Sequence, residues 1–162
     1  MQKKVLIIVG SHTDLPTLEK KELFKFLKDV GIVVELEVAS AHRDPDEVRE
    51  LATNAQEKGF GVIITAAGMS NALSGVVSSL TTLPVIGIPM GEKAVYPTVG
   101  MPPGTCVLTV DVDAGLNAAI GATKILAIDD NALRERMILW LELRNKEKKV
   151  AAAEAVKQII NN

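Results

Sequence analysis

The sequence predicts an α/β fold in which helices cover both faces of a parallel sheet. Short apolar runs rich in Val and Ile alternate along the chain with longer segments of helical periodicity, as expected for repeated strand–helix–strand units. Most of these runs are continuously apolar, which is typical of strands buried on both faces. A chain of 162 residues suits a single domain, which we divide into a doubly wound core at 1–128 and a helical extension at 129–162.

The first two strands flank the first helix. Residues 5–9 form a continuous apolar run that predicts a buried strand. A helix is expected from 15 or 16 to 30, with Asp14 or Thr13 as its N-cap. In the second strand, 33–38, apolar residues alternate with glutamates, which indicates a sheet edge with one solvated face.

The remaining elements of the core follow the same pattern. Asp44 and Pro45 predict the start of a helix, because Asp caps helices and Pro fits their first position; with Glu47 they suggest a capping box. Because the second strand looks like an edge, we expect a three-layer sandwich with the flavodoxin-like strand order 2-1-3-4-5. The other predictions are strands at 61–66, 84–88 and 106–110, a helix from 45 to about 58, a short helix ending at Leu80, a long irregular loop before the fifth strand, and a helix at 114–128.

The tail differs from the core. From 131 to about 160 it contains neither Pro nor Gly, so one helix of about 45 Å is predicted. Its first half carries a dense set of apolar residues, and we infer that part of it packs on another subunit. The alternative is a bent or broken helix folded on its own domain.

Composition excludes several classes of function. The formal net charge is −2 and aromatic residues make up 3%, which argues against nucleic-acid binding. No apolar run reaches the ~18 residues of a membrane span. No small-residue cleavage site follows the first apolar run, so we expect no signal peptide. The single Cys106 suits a reducing compartment, so we expect a cytoplasmic protein, with Cys106 buried in the fifth strand.

Polar loops follow the first three strands, and in this fold they meet where the strand order reverses. Ser11, Thr13 and Asp14 lie between a strand and a helix N-terminus, where backbone N–H groups attract anions. The hydroxyls of Ser11 and Thr13 suit phosphate, and the Asp14 carboxylate suits two sugar hydroxyls. The alternative is that these residues only cap the helix.

The loop 40–45 after the second strand holds the candidate catalytic group. As a histidine, His42 can take up and release a proton, and Arg43 suits phosphate. The alternatives are a structural histidine and an ion pair of Arg43 with Asp46 or Glu47. The other histidine, His12, is interpreted as a loop residue at the pocket mouth. Two isolated histidines and one cysteine do not suggest a metal site, so acid/base chemistry on a phosphorylated sugar derivative is indicated.

Four segments of the sequence resemble a known family: 9–16, 38–46, 82–89 and 101–104. They are similar to the catalytic subunit of phosphoribosylaminoimidazole carboxylase, also called carboxyaminoimidazole ribonucleotide mutase. The resemblance covers about residues 4–128, and the pairing of Gly-Ser-x-Ser/Thr-Asp with Ser-Ala-His-Arg is quite specific to this family. It implies a flavodoxin-like fold, an octamer in which the C-terminal helix reaches a neighbour, and no metal or organic cofactor.

The resemblance also implies roles for individual residues. Ser11 and Arg43 would hold the phosphate, Asp14 the ribose hydroxyls, and Ser40 would line the pocket. His42 would move the proton at the imidazole carbon that becomes carboxylated. The small-residue loop would enclose the aminoimidazole ribonucleotide (AIR) and carbon dioxide; its members are Ala67, Gly68, Met69, Ser70 and Asn71.

This sequence departs from the family pattern in three places. Ala72 stands where the mutase class has a second histidine. Residues 70–75 instead resemble the class that uses free carbon dioxide. That class, however, usually has Arg at position 69 and Lys at 43, whereas this chain has Met69 and Arg43. The segment 90–101 is several residues shorter than in either class. Three interpretations of the function therefore remain open. The chain is an isomerase or lyase that forms carboxyaminoimidazole ribonucleotide (CAIR), a paralogue that acts on another phosphorylated heterocycle, or a non-catalytic nucleotide-binding protein.

Overall fold

Five parallel strands in the order 2-1-3-4-5 form the centre of this computed structural model, which describes residues 3–160. The predicted strand order and the flavodoxin-like architecture are therefore confirmed. The strands are β1 (Lys4–Val9), β2 (Val33–Val38), β3 (Val62–Gly68), β4 (Val85–Met90) and β5 (Leu108–Thr109). β1 pairs with β2 on one side and with β3 on the other, so the order reverses beside β1.

Helices cover both faces of this sheet. They are α1 (Leu15–Lys20), α2 (Leu23–Asp29), α3 (Pro45–Asn54), α4 (Ala72–Leu80), α5 (Val95–Val99), α6 (Gly115–Leu126) and α7 (Asn131–Ile160). On one face, Val5, Ile7 and Val9 share a buried core with α1, α2, α6 and the start of α7. On the other, Leu6 and Ile8 share a core with α3 and α4.

The helix predicted at 15–30 is divided into α1 and α2. Glu22 adopts a left-handed conformation, with φ 58°, which ends the regular hydrogen bonding of α1. The Arg144 guanidinium binds both carboxylate oxygens of Glu22, at 2.7 and 3.2 Å. The break is thus tied to α7, a contact between distant parts of the chain that local helical periodicity does not report.

Three other local expectations differ from the structure. β2 is the edge strand, as predicted, but Leu36 and Val38 are 40% and 42% exposed while its glutamates are half-buried. Cys106 is exposed and precedes β5, which has two residues, so its predicted burial is wrong. The loop expected to be irregular contains a 3-10 turn and α5, because Thr98 of α5 is fully buried and hydrogen-bonded.

The long tail helix is present as α7, and its two halves have different surroundings. Leu133 and Met137 are buried, and the Trp140 ring stands edge-on against Phe26 with centroids 4.6 Å apart. After Arg144, every described residue of α7 is exposed. The second half of α7 therefore extends away from the core.

Candidate active site

A cavity of about 290 Å³ opens at the carboxyl ends of β1, β2 and β3, where the strand order reverses. The loops after these three strands form its wall, as the sequence predicts for this fold. Every predicted site residue lines it except Ser70, which is exposed on the wall loop. The lining residues are Gly10, Ser11, Thr13, Asp14, Ser40, Ala41, His42, Arg43, Ala67, Gly68, Met69, Asn71, Ala72 and Leu73.

The loop after β1 is closed by its own hydroxyl groups. The Ser11 side chain accepts a hydrogen bond from the Thr13 backbone N–H at 3.3 Å, and the Ser11 and Thr13 hydroxyl oxygens are 2.8 Å apart. Ser11 thus caps the 3-10 turn that leads into α1. Gly10 allows the loop to lie against β3, since a Cβ at this position would be 3.0 Å from the Ala67 Cβ.

Asp14 occupies the N-cap position of α1, but its side chain makes no capping hydrogen bond. The interpretation that it serves only as a cap is therefore wrong for its carboxylate. Burial raises the pKa of Asp14, and the negative charge of Asp113 raises it further. A carboxylate in this position is well placed to accept hydrogen bonds from hydroxyl groups of a ligand.

Arg43 connects the two polar loops. Its Nη2 donates to the Gly10 carbonyl oxygen at 3.2 Å, directly before Ser11. Among residues 3–160 it forms no ion pair with Asp46 or Glu47, so that alternative is wrong. The contact holds a permanent positive charge beside the Ser11 loop.

The loop that carries His42 is fixed by Ser40 and Asp44. The Asp44 carboxylate accepts from the Ser40 backbone N–H at 3.3 Å, and the Asp44 backbone N–H donates to the Ser40 carbonyl at 2.8 Å. Asp44 is the N-cap residue of α3 as predicted, but its side chain does not cap that helix. The predicted capping box is wrong because this carboxylate turns back to the loop.

His42 projects from this fixed loop as an exposed residue at the cavity. Its backbone N–H donates to the buried Ser40 hydroxyl at 3.4 Å, which sets the position of its backbone. In the part of the chain that the structure describes, its ring has no hydrogen-bond partner. The imidazole is therefore available to a ligand.

The other histidine, His12, does not line the cavity.

The wall opposite His42 is held from behind by a buried polar network. The Asn71 side-chain amide donates to Thr98 Oγ1 at 2.6 Å, and its oxygen accepts from the Ser74 backbone N–H. Ser74 in turn accepts from Thr65 at 2.9 Å. The Asn71 side chain thus forms its hydrogen bonds inside the wall.

Two further residues bear on the site although the sequence analysis gave them no role. Leu73 lines the cavity, and the small-residue loop after the third strand was the available signal. Asp113 raises the pKa of Asp14 from the segment after β5, a relationship that no local motif indicates.

Neither a metal site nor a membrane span is found in the part of the chain that the structure describes. Among residues 3–160 no group of three or more His, Cys, Asp or Glu is arranged to hold a metal ion. No described helix has the length and apolarity to cross a membrane.

Comparisons with known proteins give a consistent result. The family model for AIR carboxylase matches residues 4–148. The N5-carboxyaminoimidazole ribonucleotide mutase of Methanocaldococcus jannaschii is 42% identical over 160 residues, covering 96% of this chain and 98% of that protein. The phosphoribosylaminoimidazole carboxylase of Saccharomyces cerevisiae is 33% identical, over 94% of this chain but 27% of that protein. The crystal structure of PurE from Treponema denticola aligns with a TM-score of 0.80 at 25% identity, covering 94% and 98% of the two chains.

Proposed function

This chain belongs to the AIR carboxylase family, and on that premise we propose that it forms CAIR in purine biosynthesis. The observation that carries the assignment is the meeting of Arg43, Asp14 and His42 in one cavity. These side chains suit the three parts of such a substrate: a phosphate, a ribose and a ring that exchanges a proton.

Substrate binding begins at the phosphate. Arg43, which is held at the Gly10 carbonyl, binds this group by donating hydrogen bonds to it. The hydroxyls of Ser11 and Thr13 donate to the same phosphate. The Asp14 carboxylate binds ribose hydroxyls. The imidazole then lies against the small-residue wall, where Ala67 and Gly68 leave room for a flat ring and a carboxyl group.

The chemical step requires one proton transfer. When carbon dioxide adds to the ring carbon, that carbon carries both a hydrogen and the new carboxylate. His42 removes this proton and restores the aromatic ring; in the reverse direction it protonates the same carbon, and carbon dioxide leaves. Enclosure keeps carbon dioxide next to the ring, and no proposed step uses a cofactor.

The source of carbon dioxide distinguishes two reactions. Rearrangement of the N-carboxy isomer is favoured by the name of the M. jannaschii relative, which matches nearly the whole chain. Direct carboxylation of AIR is favoured by Ala72, which lines the cavity at the position where the mutase class has a second histidine. Supplying the purified protein separately with the N-carboxy isomer and with AIR plus bicarbonate tests which one is consumed.

The assembly that we propose is a cytoplasmic homo-octamer. It is supported by the exposed second half of α7 and by Leu36 and Val38 on the edge strand, which are apolar and uncovered in the described chain. An octamer would cover such surfaces by contact between copies. Light scattering measures the assembly directly, and a monomer would refute this part of the proposal.

The proposed activity is tested by following CAIR decarboxylation in the ultraviolet. We expect the wild-type protein to turn CAIR over and His42→Asn to lose about 10²–10⁴-fold in rate, the usual contribution of acid/base catalysis. His12→Asn is the matched control and should retain the rate. If the wild type binds CAIR tightly without turning it over, the non-catalytic interpretation is correct; no binding and no turnover would point to another heterocycle.

A further inference from the structure

Met69 is held in a backbone conformation that disfavours its side chain. The Asn71 N–H donates to the Gly68 carbonyl at 3.2 Å, which closes a four-residue turn. Met69, at the first central position, has φ 53°, whereas Ser70 is not among the residues with positive φ. This is the φ pattern of a type II′ turn, a position that glycine usually occupies. For Met it carries an energetic penalty of about 1 kcal/mol or more.

Both ends of this turn are fixed, so it cannot relax. Gly68 lies so close to β4 that a Cβ there would be 3.1 Å from the Met90 carbonyl oxygen. At the other end, Asn71 is 2% exposed and bonded to the fully buried Thr98. The strained conformation of Met69 is therefore imposed by its neighbours.

The Met69 side chain makes little contribution to the folded core. The Met69 side chain is 72% exposed, so packing against the core does not compensate for the strain in its backbone. It lines the cavity, on the loop that faces the Ser11 and His42 loops. An exposed apolar side chain at a cavity rim gains its contacts when a ligand fills the cavity.

We propose that Met69 is a specificity-determining residue that covers the heterocycle of the bound nucleotide. This inference rests on the proposed function, because the ligand is the AIR-type ring. The unbranched thioether adapts to the face of a flat ring and closes the cavity opposite His42. The strain in the turn directs this side chain towards the ligand.

Isothermal titration with AIR in carbon-dioxide-free buffer tests the proposal without requiring turnover. We expect Met69→Gly and Met69→Ala each to weaken AIR binding about tenfold, as expected for losing part of the contact of one apolar side chain. Met69→Leu, which retains a similar volume, should bind within about threefold of the wild type. Ile128→Ala removes another exposed apolar side chain outside the cavity and should leave binding unchanged.

Thermal melting separates this role from a structural one. Glycine accepts positive φ without a steric penalty, so Met69→Gly should melt at or above the wild-type temperature while it binds AIR more weakly. A binding loss with Gly but not with Ala would assign the effect to backbone freedom and overturn the proposal. Unchanged AIR binding in Met69→Gly would overturn it too, and a lower molar mass with unchanged binding would identify Met69 as a subunit contact instead.

The same titration distinguishes failure of this inference from failure of the proposed function. If wild-type protein binds AIR and decarboxylates CAIR but Met69→Gly is indistinguishable from it, the cover role alone is refuted. If the wild type neither binds AIR nor turns over CAIR, the proposed function is refuted, and the cover role is refuted with it.

Discussion

Arg43 Nη2 donates to the carbonyl oxygen of Gly10 over 3.2 Å, across the ends of two neighbouring strands. The contact joins the loop that carries His42 to the loop that carries Ser11. One side chain thereby sets the separation between the proposed proton carrier and the proposed phosphate site. Because the guanidinium has further N–H donors, it can keep this bond while it binds an anion.

Replacing Arg43 should weaken binding of the phosphorylated substrate. We expect Arg43→Gln to raise the Kd for AIR by about 10- to 100-fold, because hydrogen bonds to charged groups contribute about 1.5–3 kcal/mol. Isothermal titration measures the change. The dephosphorylated nucleoside provides the control: its weaker binding should be the same in wild type and variant. An equal loss for nucleotide and nucleoside would show that Arg43 orders the loops without binding phosphate.

Asp14 should give the protein a characteristic pH dependence of stability. Its pKa is raised from 3.8 in the folded protein, first by burial and then by Asp113. Between 3.8 and the raised pKa the folded state therefore binds more protons than the unfolded state. The free energy of unfolding then falls as pH rises through this window, and the loss persists above it.

The variant Asp14→Asn removes this pH-dependent contribution. At neutral pH it should be more stable than the wild type, and the difference should shrink as the pH falls below the window, while AIR binding is weakened. Urea unfolding at a series of pH values measures the difference. The Asp113 carboxylate accepts from the Gly91 N–H at 3.1 Å, and Asp113→Asn keeps an oxygen for this bond. Because it removes the negative charge that raises the pKa of Asp14, it should narrow the pH range over which stability changes. A stability difference independent of pH would contradict the assignment to Asp14.

Local sequence patterns predicted most of the fold. Continuous apolar runs mark buried strands such as β1, because such runs are typical of strands covered on both faces. The alternating pattern of β2 also marks an edge, although its apolar side chains Leu36 and Val38 are more exposed than its glutamates. Once the strand order is known, the loops that carry Ser11 and His42 must meet. The cavity was therefore predictable from residues that are far apart in the sequence.

The remaining features depend on which of several possible partners each side chain takes. The break before Glu22 is tied to Arg144 of α7, and the inward orientation of Asn71 depends on Thr98. Asp44 has the sequence context of a helix cap, but a nearer N–H at Ser40 takes its carboxylate. In the first two cases a distant partner decides the local structure, and in the third two local partners compete for one carboxylate.

The exposed end of α7 offers a test of the proposed assembly. Val156, Ile159 and Ile160 are more than half exposed in the described chain. If they contact another copy, replacing all three by Ser should lower the molar mass measured by light scattering. The reason is that apolar burial between the proposed subunits would be lost, while the core of each subunit would be untouched.

A second triple variant, in which three charged residues are replaced by serine, controls for the effect of serine on the helix itself. Lys148, Lys149 and Lys157 are exposed on the same part of α7. Replacing them by Ser lowers helix propensity at least as much as the apolar replacements do, because Lys is a better helix former than Val or Ile. This control should retain the wild-type molar mass. Equal losses of mass in both variants would mean that helix stability, rather than apolar contact, controls assembly.

Thr98 should affect substrate binding from behind the cavity wall. In Thr98→Val the Asn71 amide loses its buried acceptor, which costs about 1–3 kcal/mol of stability and releases the wall loop at Gly68 to Asn71. Thr98→Ser keeps the hydroxyl but removes the methyl that lies against Gly87, a loss of about 1 kcal/mol. Urea unfolding should therefore show both variants destabilised, whereas titration with AIR should show weakened binding for Val and near-normal binding for Ser. Wild-type affinity in a folded Thr98→Val protein would show that the Asn71–Thr98 hydrogen bond stabilises the wall without positioning it.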